Sequence, residues 1–208
     1  MPHPTPSQLR ALKKRDPKLA AAMRSLEPFP GFPEGAGRRM SHWHSLARAI
    51  TFQQLAGAAA STIFGRVVAL TPGAALAKPE EFLELPFETL RGAGLSKAKA
   101  TSLQDLAAHI QDGRLKLRGI HHRTDEEVIG LLTDVRGIGP WTAQMFLMFK
   151  LGRLDILPST DLGVQEGIRV LDGLAQRPTP KQVEERGEVW SPLRSVASWM
   201  MYRLVDAR

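Results

Sequence analysis

Leu131 to Asp161 reads LLTDVRGIGPWTAQMFLMFKLGRLDILPSTD, and the fold class turns on how this stretch is punctuated. It opens on the end of an apolar-periodic helix. Leu132, Val135 and Ile138 continue the apolar spacing into a tight turn, Val135-Arg136-Gly137-Ile138-Gly139, built on two glycines. Pro140 suits the first position of a new helix, where a missing N–H removes nothing. The second helix is expected from Trp141 to about Lys150. Helix, G-I-G turn, helix is a helix–hairpin–helix pattern.

The physical use of such a turn is phosphate capture. Glycine lets the backbone come close to an anion, and the first amides of the second helix point outward with the positive end of its dipole. A grip of this kind holds the nucleic acid backbone and reads no base. The candidate DNA contacts are therefore Arg136, Gly137, Ile138, Gly139 and Thr142. A plain turn between two core helices is the competing reading.

Downstream, Pro158-Ser159-Thr160-Asp161-Leu162-Gly163-Val164 places Asp161 at the start of a further helix that reads to about Leu171. Aspartate is a preferred N-cap, so capping alone accounts for it. The same position favours an anion, through the amides and the helix dipole. An anion beside a phosphate-gripping hairpin is suited to stabilising positive charge on a sugar, or to orienting a water. Asp155, a second carboxylate nearby, reads as structural, capping or paired with an arginine.

The 208 residues suffice for one sizeable domain or two small ones, and an apolar content of 43% fits a packed core. Lys and Arg outnumber Asp and Glu by 28 to 21, a net charge of +7 that favours an anionic partner. The absence of cysteine excludes disulfides, a thiol nucleophile and cysteine-ligated metal. Neither a signal peptide nor a membrane-spanning apolar run is evident, so a soluble intracellular protein is expected, cytoplasmic and nucleoid-associated in a prokaryote, without membrane contact.

From the N-terminus, Ser7 is a possible cap for a helix to about Arg15, and Asp16-Pro17 opens another to about Leu26. Glu27 to Gly37 is a loop, since its prolines and glycines oppose regular structure. Arg38, Arg39, His42 and His44 lie at or in a helix from Ser41 to about Ile50. The two histidines do not share a face, so a solvated DNA-facing cluster is expected rather than a metal site. An Ala-rich helix follows Phe52-Gln53-Gln54-Leu55. Leu90-Arg91-Gly92-Ala93-Gly94-Leu95-Ser96 faintly echoes the main hairpin, and Ser96 caps a helix to about Gln111. Lys97 and Lys99 on that helix either touch phosphate or form a solvated basic face. Leu115 to His122 is a basic loop. Thr124 with Glu127 forms a capping box at the first hairpin helix. Pro180 and Pro192 open the last two helices. No window alternates as a strand does, so the fold class is all-α.

Five ordered stretches now carry a resemblance: Ile50-Thr51-Phe52-Gln53-Gln54; Gly94-Leu95-Ser96 with Lys99-Ala100; Gly137 to Ala143; Pro158 to Val164; and Trp190-Ser191-Pro192-Leu193-Arg194-Ser195 with Ala197. Together they resemble the helix–hairpin–helix DNA glycosylase superfamily, and within it the 3-methyladenine DNA glycosylase II, AlkA-like, branch. The resemblance covers about residues 40–205. It implies two helical subdomains with the active cleft between them. The expected layout is N-terminal helices and loop over 1–37, standing where relatives often carry a sheet domain, and a glycosylase domain over 38–208. The seam is expected near residues 110–125 and again before the C-terminal helix.

The implied activity is monofunctional excision of alkylated bases of the 3-methyladenine and 7-methylguanine type from double-stranded DNA, by a monomer. The product is an abasic site for base excision repair. Asp161 matches the essential aspartate. Bifunctional members carry a Schiff-base lysine where this chain has Trp141, so strand cleavage is not expected. The iron–sulfur cluster of the endonuclease III and adenine-mismatch branches is excluded by the lack of cysteine. Trp141, Met145, Leu162 and Tyr202 match the base pocket. Trp141 offers a face to a cationic base, or packs in the core. Met145 and Leu162 depart from the aromatics common there, which predicts a broad apolar pocket. Gln54 matches the residue wedged into the duplex, with Leu55 beside it as the other candidate; Gln53 contacts the opposite strand or braces the loop. Trp190, Arg194 and Ser195 match a C-terminal signature read as scaffold for the Asp161 helix. No cofactor is required, but a structural Na+ or K+ is implied on the backbone carbonyls of Thr133, Val135 and Ile138. Two other readings remain: a non-enzymatic helix–hairpin–helix DNA-binding module, and a glycosylase for a different lesion.

Overall fold

A computed structural model describes residues 3–33, 37, 39–73 and 75–207. Among them every regular element is helical: α1 (Pro6–Arg15), α2 (Pro17–Ser25), α3 (His42–Phe52), α4 (Gly57–Val68), α5 (Pro79–Leu83), α6 (Phe87–Gly92), α7 (Lys97–Gln111), α8 (Asp125–Thr133), α9 (Pro140–Phe149), α10 (Leu162–Asp172), α11 (Pro180–Gly187) and α12 (Arg194–Asp206). Single 3-10 turns occupy Ile120–His122 and Glu188–Trp190. No helix of the described residues is long and apolar enough to cross a membrane.

Local chemistry sets most boundaries. Ser41, Ser96 and Thr124 accept from the amide three residues on, and Glu127 returns the bond to Thr124. The first helix starts earlier than Ser7 suggested. Pro6 occupies its first position, so the cap is Thr5, closed into a box by Gln8. The last helix begins at Arg194 rather than at Pro192.

The chain divides into two compact units, residues 1–38 with 147–208, and residues 39–146. The boundary falls inside α9 rather than near 110–125, and the N-terminal helices pack into the core of the first unit. In that unit α2 packs on α10 and α12. Leu12 and Leu19 are fully buried there, with Val164, Ile168, Trp190, Leu193, Val196 and Met201. The Glu27–Gly37 loop contributes Phe32, which is buried and meets the ring of Phe149 at 4.6 Å.

The second unit is built from α3 to α8 and most of α9. Its interior holds Trp43, Leu46, Ile50, Phe82, Leu103, Leu106, Val128, Leu132 and Phe146. His42 and His44 are packed rather than solvated. The His42 ring lies edge-on to Phe146 with Nδ1 3.2 Å from the Leu117 carbonyl, and His44 lies edge-on to Phe64. No metal-binding cluster occurs among the described residues. Arg38 lies outside them.

A polar network pins the N-terminal helices. Asp16 caps α2 through the Leu19 amide at 3.0 Å and accepts from the Trp190 indole at 2.7 Å and from Arg186 at 2.6 Å. Arg186 also reaches Asp172 at 2.7 Å, which accepts from Lys18. Burial alone would raise the Asp16 carboxyl, but the Leu19, Trp190 and Arg186 donors outweigh it and hold it below the usual range. A carboxyl depressed in the folded state contributes stability above its unfolded pKa of about 4, and that contribution is lost as pH falls through the folded value. Thermal stability is therefore expected to hold from neutrality to about pH 5 and to drop below about pH 4. Asp16→Asn should be less stable at neutral pH and lose less on acidification; an acid limb as steep as in wild type would rule Asp16 out as a contributor.

Candidate active site

Two groups of residues matter, one in each unit. In the 39–146 unit the hairpin is set by its backbone. Val135 and Ile138 point inward, 1% and 4% exposed. The Val135 amide donates to Leu132 and the Ile138 amide to Val135, both at 3.1 Å. Gly137 has a φ of +78°, a left-handed conformation that suits glycine. A Cβ there would also lie 2.4 Å from the Ser102 hydroxyl on α7. The first helical bond of α9 runs from Ala143 to the Gly139 carbonyl. The amides of Gly137, Gly139 and Thr142 have no acceptor among the described residues.

Arg136 departs from the simple picture. Its amide donates to Asp105 Oδ2 at 2.7 Å, which ties the turn to α7, so only its exposed side chain is available to an anion. Thr142 is 5% exposed. Its hydroxyl lies 3.3 Å from the Gln53 amide nitrogen, so its backbone amide rather than its side chain is what it can offer.

Gln53 also donates to the Gly137 carbonyl at 2.9 Å. Of the two roles open to it, bracing is the one observed, and the brace joins the glutamine loop to the hairpin. Lys99 holds the same loop from its other side, donating to the Thr51 and Gln53 carbonyls at 2.8 and 2.7 Å. Neither phosphate contact nor a solvated face describes Lys99; it caps the end of α3. Held this way, Gln54 adopts a φ of +55°, the one positive φ at a non-glycine residue among those described. Such a conformation costs about 1–3 kcal/mol and persists where the surroundings over-determine it. Gln54 and Leu55 are both exposed, Leu55 by 39%. On α9, Trp141 is 42% exposed, which excludes core packing. Met145 is one turn further on the same face and is half-buried.

In the other unit, the loop into α10 is held by α12 and its approach. The Asp155 carboxylate takes a two-pronged contact from Arg194 at 2.8 and 2.9 Å, with Ser191 at 3.0 Å. Burial would raise this carboxyl, but Arg194 and Ser191 keep it below its ordinary value. Ser195 donates its amide to Leu154 and accepts the Ile156 amide on its hydroxyl, each at 2.9 Å. Gln165 donates to the Ser159 carbonyl at 3.0 Å, and Ser159 to Glu184 at 2.9 Å. Arg194 and Ser195 are thus the scaffold the sequence suggested, whereas Trp190 serves Asp16.

Asp161 emerges from this loop as the cap of α10. It is 8% exposed, and its Oδ1 accepts the Val164 amide at 2.9 Å. Leu162, the next residue, is 63% exposed. Tyr202 reaches Asp161 from α12 and hydrogen-bonds its carboxylate. Sequence reasoning placed Tyr202 in a base pocket and missed this bond. The Phe149 ring, 36% exposed, lies 6.4 Å from the Tyr202 ring, centre to centre. The overlooked signal was Gly163 and Gly167, one turn apart on α10, a spacing that admits close approach by another helix.

One unit therefore presents three backbone amides suited to a phosphate, a strained loop with two exposed side chains and an exposed indole; the other presents a carboxylate held at a helix N-terminus. A family model described as "HhH-GPD superfamily base excision DNA repair protein" matches residues 47–192. The DNA-3-methyladenine glycosylase 1 of Schizosaccharomyces pombe is 33% identical over 172 residues, 82% of this chain and 75% of that protein. Among solved structures, the S. pombe 3-methyladenine DNA glycosylase Mag1 in complex with abasic DNA superimposes with a TM-score of 0.82 at 29% identity, covering 94% of this chain and 95% of the other. A DNA-3-methyladenine glycosidase from Bacillus halodurans gives 0.80 at 34% identity, covering 95% and 88%.

Proposed function

The chain belongs to the HhH-GPD superfamily of base excision DNA repair proteins, and from that footing we propose that it is a monofunctional DNA glycosylase for alkylated bases. DNA is its partner. The observation that carries the reading is Asp161, a carboxylate at a helix N-terminus on a loop braced by Arg194 and Ser195.

The reaction breaks the bond between C1′ and the base nitrogen, whose electron pair leaves with the base. Water adds to C1′ and gives up a proton. A base methylated at N3 or N7 is already cationic and departs neutral, so little acid catalysis is needed. Positive charge grows on the sugar, and the Asp161 anion is the group suited to stabilise it. The hairpin amides of Gly137, Gly139 and Thr142 take up backbone phosphate. Gln54 or Leu55 fills the space the extruded base vacates. The exposed face of Trp141 suits a cationic base. Trp141 has no amine with which to trap C1′, so the product is an abasic site in an unbroken strand.

A monovalent cation suits the hairpin. The Thr133 and Ile138 carbonyls accept no hydrogen bond among the described residues, and Val135 accepts one and keeps a lone pair. An ion on these oxygens would add positive charge beside the phosphate. The protein would act as a monomer.

A panel of otherwise identical duplexes tests the substrate class. Release of 3-methyladenine and 7-methylguanine is expected to exceed that of hypoxanthine or uracil by about a hundredfold or more. Faster release of a neutral base would overturn the assignment.

A further inference from the structure

We propose that Tyr202 is a positioning residue for Asp161, its phenol and the Val164 amide together fixing the orientation of the carboxylate. The inference rests on the reading of Asp161 as the reacting anion. One hydrogen bond, such as that from the Val164 amide to Oδ1, by itself restrains the position of a carboxylate but not its freedom to turn. A second donor from a different helix removes the freedom, and pre-organisation of this kind is where an electrostatic catalyst gains its rate.

The packing of α10 on α12 is built around this contact. A Cβ on Gly163 would lie 2.9 Å from Cδ1 and Cε1 of Tyr202 and 3.1 Å from Asp161 Oδ1. Gly163 is therefore the notch through which the ring reaches the cap. One turn later, a Cβ on Gly167 would come within 2.6 Å of the backbone of Met201. The two glycines bring the helices together so closely that Tyr202 meets the first turn of α10. Burial, the Asp161 charge and the bond to Asp161 all push the phenol far above its ordinary range. It stays a neutral donor to the carboxylate.

The test uses two duplexes. One carries a pyrrolidine abasic analogue, cationic at neutral pH; the other carries a neutral tetrahydrofuran analogue. Wild type should prefer the cation, as a mimic of the charged transition state. Tyr202→Phe keeps the ring and is expected to reduce that preference about tenfold, with tetrahydrofuran affinity within about twofold of wild type. Its single-turnover base release should fall about tenfold at unchanged substrate affinity. In an Asp161→Asn background, which itself lacks the preference, adding Tyr202→Phe should change the ratio no further. A Tyr202→Phe ratio equal to wild type, or equal weakening of both duplexes, would overturn the inference while leaving Asp161 in place. A wild type without any preference would overturn the reading of Asp161 itself.

Discussion

Asp161→Asn is expected to slow base release about a hundredfold to a thousandfold at saturating protein, with affinity for the substrate duplex within about twofold of wild type. The substitution is close to isosteric. An asparagine oxygen still accepts the Val164 amide, and asparagine is as good a cap as aspartate, so α10 should keep its start. What disappears is the negative charge, and with it the interaction that grows only as the sugar becomes cationic. The loss should therefore appear in the rate and not in binding. Single-turnover release from a methylated duplex, with binding followed on a tetrahydrofuran duplex, separates the two. Release within about threefold of wild type would remove Asp161 from the chemistry and return it to capping alone.

Gly137→Ala is expected to weaken DNA binding by about tenfold to a hundredfold. Two costs coincide. The residue sits at a φ of +78°, which costs an L-residue about 1–2 kcal/mol. Its new methyl group would also stand 2.4 Å from the Ser102 hydroxyl. The turn must shift, and the hairpin amides shift with it. Because those amides hold phosphate, the loss should be similar for damaged and undamaged duplex, and the dependence of affinity on salt should become shallower. Gly130→Ala on α8 is the control, since a Cβ there meets nothing within 4 Å. Equal affinity and equal salt slope for Gly137→Ala and wild type would place the phosphate grip elsewhere.

The parts of this molecule that could be read from sequence are those whose cause is local. The glycines of the turn, Pro140 after them, and the caps Ser96, Thr124 and Asp161 act on residues within one helical turn. The hairpin, the run of helices and the position of Asp161 followed from them. The contacts that could not be read join residues far apart in the chain: Gln53 to Gly137, Asp105 to Arg136, Asp16 to Trp190 and Arg186, Phe32 to Phe149. Nothing near Lys99 shows that its ammonium ends on the carbonyls of α3 rather than on phosphate. The division of the chain was hidden for the same reason. Residues 1–38 join 147–208 through side chains such as Leu12, Leu19 and Asp16, whose partners lie well over a hundred positions away. Where local cues competed, the finer balance decided. Thr5 displaced Ser7 as a cap because Pro6 fits the first helical position.

The central claim is base excision without strand cleavage, and one measurement reaches it most directly: incubation of wild-type protein with a duplex carrying a single 7-methylguanine. Free base and strand length would be read together, before and after hot alkali. Stoichiometric release of base, with full-length strands until alkali is added, is the predicted result. Nicked strands before alkali, or intact duplex with its methylguanine still in place, would contradict it.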